Sequence, residues 1–206
     1  MKELRLSDLR HGPLSPDTVH LCIDMQRLFS PEGPWPTPWM ERVLPTVSRI
    51  AERYAERTVF TRFITPETPD DMPGTWRPYY RHWLKATRRR LDPGLLDLMP
   101  PLDRLVPPAM VVDKPVYSAF TGHGLVDLLR ARRVDTLVVT GSETDMCVLA
   151  TVLGAVDLGY RVVLVTDGLC SSSDEGHDNL LDLYTKRFSH QIETIDSERL
   201  LAEWRP

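Results

Sequence analysis

The sequence predicts an α/β fold, with a six-stranded, mainly parallel sheet held between two layers of helices. Two observations carry this. Short runs rich in Val, Ile and Leu alternate along the chain with helix-like segments, which suits a parallel sheet covered on both faces. The chain has 206 residues and 42% apolar content, enough for one compact domain spanning 1–206 with a full core, burying ~70% of its unfolded surface.

The first strand is read as about Val19–Asp24, an apolar run closed by an aspartate. A helix over about Trp39–Glu56 leads to a second strand, Thr58–Arg62. Next comes a proline-rich crossover, 63–109, too long for an ordinary connection; it suits a lid or a subunit contact. Inside it, Tyr80, Leu84, Thr87 and Leu91 repeat at helical spacing beside Trp83, predicting a helix over Arg77–Leu91. Its other face carries Arg77, Arg81, Lys85, Arg88, Arg89 and Arg90 and reads as solvated. A third strand at Met110–Asp113 precedes a helix from Leu125 to Arg132. The fourth strand, Thr136–Thr140, leads into a helix reaching Leu158, and the fifth is Arg161–Thr166. Ser172 and Glu175 have the spacing of a capping box for the next helix. A strand at Gln191–Ile195 and a helical turn finish the chain.

Composition narrows the function. A net charge of −4 indicates no general affinity for nucleic acid or for a membrane surface. The amino-terminal Met1–Asp8 lacks the apolar core of a signal peptide, and no run approaches the ~20 residues of a membrane span, so cytoplasmic residence is expected. Cysteines at 22, 147 and 170 fit neither a disulfide framework nor a zinc pattern, and the six histidines never pair at ligand spacing. Glycine-rich nucleotide motifs and a serine-hydrolase elbow are absent. Neither a cofactor nor a metal is expected.

Three strand ends ask for chemistry. Cys147 lies in the first turn of the helix after the fourth strand, where the helix dipole favours a thiolate. Asp24 ends the first strand and Lys114 the third. Each has an ordinary reading: a buried small hydrophobe, a helix cap, a solvated lysine. Together they supply a carboxylate, an ammonium and a thiol at the carboxyl edge of a parallel sheet, where ligands bind. That set makes an activated nucleophile. Cys22 and Cys170 read as inert core.

These blocks resemble the isochorismatase-like cysteine hydrolase superfamily, which has a Rossmann-like sheet and includes nicotinamidases and N-carbamoylsarcosine amidase. The resemblance runs from Val19 to Ile195 and is carried mainly by Gly141-Ser-Glu-Thr-Asp-Met-Cys-Val148, Asp24 with Gln26, and Lys114 with the Tyr-Ser-Ala-Phe block at 117–120. It implies a triad of Asp24, Lys114 and Cys147, a cis peptide between Ser142 and Glu143, and an oxyanion hole from the backbone N–H groups of Glu143 and Cys147. It also implies a homodimer or homotetramer. Metal-binding nicotinamidases place an Asp-x-His motif after the second strand. Here that stretch, Phe60–Pro69, has no histidine, which implies a metal-independent enzyme.

The reaction implied is cleavage of a small amide or ureide through a thioester. Scission of an ester or vinyl ether on the same scaffold, or a non-catalytic thiol protein, are the alternatives. Trp35, Trp39, Tyr117 and Phe120 are expected to line the substrate site, and His123 either reaches its rim or starts a helix in solvent. A cation ~4 Å from the sulfur would contribute ~4 kcal/mol at an effective dielectric of ~20. That favours the thiolate and Asp24 opposes it; the balance expected is that Asp24 accepts the thiol proton as a general base while Lys114 stabilises the resulting charge.

Overall fold

The structure is a computed structural model that describes residues 9–205. Residues 1–8, read above for the lack of a signal-peptide core, lie outside the described residues.

Six strands form one parallel sheet: β1 (Thr18–Ile23), β2 (Thr58–Phe63), β3 (Met110–Lys114), β4 (Thr136–Ser142), β5 (Arg161–Cys170) and β6 (Ile192–Ile195). Their order across the sheet is β3-β2-β1-β4-β5-β6, and every neighbouring pair is parallel. The helices are α1 (Met40–Arg53), α2 (Trp76–His82), α3 (Pro100–Asp103), α4 (Gly124–Ala131), α5 (Leu149–Asp157), α6 (Asp174–Lys186) and α7 (Ser197–Glu203).

Side-chain alternation along the strands builds the two outer layers. Leu21, Ile23, Leu137, Val139 and Leu164 face α4, α5 and α6, meeting Leu125, Leu129, Val152 and Leu181. On the opposite face Val138, Val163 and Val165 meet Ile50 of α1, Leu200 of α7 and Trp204. Cys22 and Phe60 pack there with Met40, Val47 and Leu102. Cys22 and Cys170 are both buried in this layer, and burial pushes each thiol up to about 12. Beneath the site, the buried His20 ring bonds to Thr58 Oγ1 (3.1 Å) and Thr140 Oγ1 (2.8 Å).

Several boundaries differ from the expected ones. The Arg77–Leu91 helix stops after His82, because Trp83 turns out of helical geometry and Thr87 is extended. Thr87 Oγ1 donates to the Leu84 carbonyl at 2.7 Å, competing with continued helix. β5 runs past Thr166 to Cys170, because the register shifts between Val139 and Gly141, leaving the four residues 165–168 opposite Thr140 before pairing resumes at Leu169. α6 is capped by Ser173, whose Oγ accepts from Gly176 N at 3.0 Å. Ser172 instead donates its N–H to Glu143 Oε2 at 2.8 Å.

Candidate active site

Asp24, Lys114 and Cys147 converge at the carboxyl edge of the sheet, and each does so for a local reason. Asp24 follows β1 with φ at 47°, a left-handed turn that aspartate tolerates better than most residues. Its N–H donates to Thr61 Oγ1 at 3.1 Å, and Thr61 returns its own hydroxyl to Asp24 Oδ1 at 2.5 Å. Gln26 holds the loop beyond: Phe63 N donates to Gln26 Oε1 (2.6 Å), and Gln26 Nε2 donates to the Leu96 carbonyl (2.7 Å). Lys114 ends edge strand β3 and reaches over β2, its Nζ 4.9 Å from the centre of the Phe63 ring. There it meets Asp24 Oδ2 at 2.5 Å and donates to the Val116 carbonyl at 3.1 Å. Asp24 Oδ2 accepts no well-angled hydrogen bond, so it retains capacity for a proton.

Cys147 sits in the π-helical turn Thr144–Val148 between β4 and α5. Two carbonyl contacts close this turn: Met146 N and Val148 N both donate to Glu143 O, at 3.0 and 3.1 Å. Asp145 accepts from Ser171 Oγ at 2.6 Å, and Thr144 Oγ1 donates to the Cys170 carbonyl at 3.1 Å. Thr144 is also 2.8 Å from His177 Nδ1; its single proton being committed, it accepts there. The peptide bond between Ser142 and Glu143 is cis. Gly141, at φ 119°, passes so close to β1 that a Cβ would lie 2.1 Å from the Ile23 carbonyl oxygen.

All three groups are shielded: Asp24 is 0% exposed, Lys114 2% and Cys147 5%. Both charged partners act on the thiol, in opposite senses. Burial pushes its pKa well up, Asp24 adds to that, and Lys114 opposes without prevailing. The thiol is therefore held as a thiol at neutral pH, desolvation outweighing the attraction of Lys114. The cost of burying a thiolate, absent from a simple charge-pair sum, decides the sign. Burial pulls Lys114 down, but Asp24 and Cys147 outweigh it, and the amine stays an ammonium.

Comparison with known proteins bears on the fold and on these blocks. The family model described as the Isochorismatase domain matches residues 18–196. This chain belongs to the isochorismatase family. Nicotinamidase of Escherichia coli (strain K12) is 48% identical over 58 residues, 25% of this chain and 27% of that protein. N-carbamoylsarcosine amidase of an Arthrobacter species is 28% identical over 152 residues, 72% of this chain and 57% of that one. The chain thus spans about a quarter and somewhat over half of these relatives' lengths. A cysteine hydrolase from Pseudomonas syringae pv. phaseolicola 1448A shares the fold, with a TM-score of 0.78 over 93% of this chain and 94% of that one at 22% identity.

Within this isochorismatase-family chain, the expected substrate-lining residues separate. Trp35 packs among Phe29, Phe63, Tyr79 and Trp83, and Tyr117 lies 4.8 Å from Trp76. Trp39 borders His177 at 5.5 Å and carries Arg42 on its face. Phe120 turns away into the helix layer against Gly154 and Tyr160. His123 is exposed at the start of α4. Thr61 and Tyr79 carry no signal in the sequence, and Tyr80 reads there only as a position on a helix. Thr61 sits inside an unremarkable strand; Tyr79 and Tyr80 pack on Trp76, which meets Tyr117 at 4.8 Å and the Phe63 ring beneath the Lys114 ammonium at 6.5 Å. The aromatic face of the crossover therefore turns inward over the site.

A cleft of about 690 Å³ opens beside Lys114, lined by Thr65, Glu67, Arg88, Arg89 and Asp113 among others, but Cys147 does not line it. Among the described residues, no cluster of three His, Cys, Asp or Glu side chains could hold a metal ion. Nor is any described helix long and apolar enough to cross a membrane.

Proposed function

We propose that this protein is a metal-independent cysteine hydrolase that cleaves the C–N bond of a small amide or ureide. The observation that carries the reading is the buried Asp24–Lys114 ion pair set against the Cys147 thiol. A merely structural cysteine gains nothing from two buried charges, whose desolvation is costly. The names of relatives, nicotinamidase and N-carbamoylsarcosine amidase, support the bond class.

Because the thiol is protonated at rest, proton removal accompanies attack. Asp24 accepts the thiol proton as sulfur bonds to the carbonyl carbon, and Lys114 offsets the charge on the shared site. Backbone N–H groups of Glu143 and Cys147 receive the oxyanion, as the family resemblance implies. Protonated Asp24 then gives its proton to the leaving nitrogen, the C–N bond breaks, and ammonia or an amine departs. A thioester on Cys147 remains. Asp24 next takes a proton from water, which adds to the thioester carbon; expulsion of the sulfur, reprotonated, yields the carboxylic acid.

The test is intact-protein mass analysis during turnover of a panel of primary amides and ureides, with ammonia release followed after EDTA dialysis. An acyl adduct on Cys147 and chelator-resistant ammonia release are expected. Activity that is lost on dialysis and restored by zinc or iron would overturn metal independence; turnover without an adduct would overturn the thioester.

A further inference from the structure

We infer that His177 is a positioning residue for the nucleophile: a proton on its Nδ1, donated to Thr144, holds the turn that presents Cys147. This rests on the reading of Asp24, Lys114 and Cys147 as the reacting groups.

The turn Thr144–Val148 needs such a hold. A π-helical turn is rare and short-lived on its own backbone bonds, and here the N–H groups of Met146 and Val148 share the single Glu143 carbonyl. Support comes from outside the turn, from residues 170–177. Ser172 N donates to Glu143 Oε2 at 2.8 Å, and Ser171 Oγ donates to Asp145 Oδ1 at 2.6 Å. Thr144 Oγ1 donates to the Cys170 carbonyl at 3.1 Å and lies 2.8 Å from His177 Nδ1. The first turn of α6 presses so close that a Cβ on Gly176 would collide with Asp145 Oδ2. Thr144 is 0% exposed and His177 5%, so water does not replace their bond when it is broken.

Chemistry fixes the direction of that bond. A hydroxyl has one proton, and Thr144 gives its own to the Cys170 carbonyl, so the imidazole is the donor. Burial pulls the His177 pKa below its ordinary range, against Asp178, Asp145 and Asp174, and leaves a neutral ring with one proton to give. Contact with Thr144 thus sets the tautomer, with the proton on Nδ1. The Trp39 ring, centred 5.5 Å away, packs against the imidazole. Cys147 lies three residues beyond Thr144 in the same turn, so a shift of Thr144 moves the sulfur relative to Asp24 and Lys114.

The test has a spectroscopic and a kinetic arm. Proton–nitrogen correlation NMR of the whole protein near neutral pH should show His177 protonated on Nδ1 and bare on Nε2; the reverse tautomer would overturn the inference. The kinetic arm compares His177→Asn, which keeps a donor where Nδ1 stood, with His177→Gln, which moves it to the place of Nε2. The probe is the primary amide from which wild type releases ammonia fastest, assayed at equal folded fraction set from urea curves. His177→Gln should lower kcat about tenfold or more with KM within about twofold, while His177→Asn keeps about half of the wild-type kcat or more. Thr144→Val should lose at least as much as His177→Gln, and the double variant no more than Thr144→Val alone. Equal kcat in the Asn and Gln variants, a loss carried by KM, or losses that multiply in the double variant would each overturn the inference. Should Thr144→Val not fold, the Asn–Gln comparison decides. Failure of the hydrolase reading is separate: wild type would release no ammonia from any amide. Iodoacetamide modification of Cys147 then serves as the readout, its rate changing about threefold or more in His177→Gln and not in His177→Asn. Matching rates in wild type and His177→Gln would overturn the inference there.

Discussion

Lys114 Nζ lies 2.5 Å from Asp24 Oδ2 although their strands do not touch, β2 standing between β3 and β1. The span is bridged by a side chain laid over Phe63. Both groups are screened from water and act on the buried thiol beside them in opposite senses, Asp24 against the thiolate and Lys114 for it.

Asp24→Asn separates thiol reactivity from turnover. Asparagine keeps an oxygen for Thr61 but removes the negative charge that pushes the Cys147 thiol up, leaving Lys114 to favour the thiolate. Iodoacetamide should therefore modify Cys147 at lower pH than in wild type. Amide hydrolysis should fall by roughly 10²–10⁴-fold through loss of the general base. An alkylation profile moved to higher pH would contradict the charge balance described here.

Replacing each cysteine with alanine distinguishes chemistry from packing. Cys147→Ala should abolish turnover with the fold intact, since little volume is lost. Cys22→Ala and Cys170→Ala remove buried core atoms and should cost about 1–2 kcal/mol in urea denaturation while most catalysis survives. Equal loss of activity in all three would place the effect in stability.

Gly141→Ala should be damaging both to the fold and to the site. Its φ of 119° and the 2.1 Å approach of a Cβ to the Ile23 carbonyl force β1 and β4 apart. A cost of about 3 kcal/mol or more is expected, with activity lost because Asp24 follows Ile23. Gly124→Ala is the control: its Cβ would meet only Val112 Cγ1, at 3.7 Å, so stability should change by less than about 1 kcal/mol.

Acid should destabilise the protein through His20. Burial lowers its pKa from 6.5 to about 3, so the unfolded chain binds the extra proton first as pH falls. Stability from this group is complete above about pH 6.5 and drains away toward pH 3, on the order of 5 kcal/mol at ~1.36 kcal/mol per unit. The urea midpoint of wild type should drop across that window. His20→Gln, though less stable at pH 7, should show a flatter dependence there.

The sheet was legible because its strands are continuous apolar runs, and the strand ends Asp24, Lys114 and Cys147 carry residue types that packing does not require. What stayed hidden depends on neighbours distant in sequence. The Arg77–Leu91 periodicity gave no sign that Thr87 would turn back on Leu84, so half of the expected helix is irregular. In the sequence Ser172 reads with Glu175 as a capping box. Across 26 and 29 residues, Ser171 and Ser172 instead brace the turn that holds Cys147, while only Ser173 caps α6. The weight of desolvation on the Cys147 thiol is not legible in the sequence, because it is a property of the folded surroundings.

β3 is an edge strand, joined to the sheet on one side only, yet it supplies the ammonium. Its outer brace, the pairing of Arg62 with Asp113 at 2.8 Å, is partly open to water and worth little. Edges of sheets open locally at lower free energy than their centres. Fraying of this one strand withdraws Lys114 while β1, β4 and the core stay assembled. Mild urea should then silence the enzyme before tryptophan fluorescence or circular dichroism registers unfolding, and amide protons of Val111–Asp113 should exchange ahead of those in Val138–Val139.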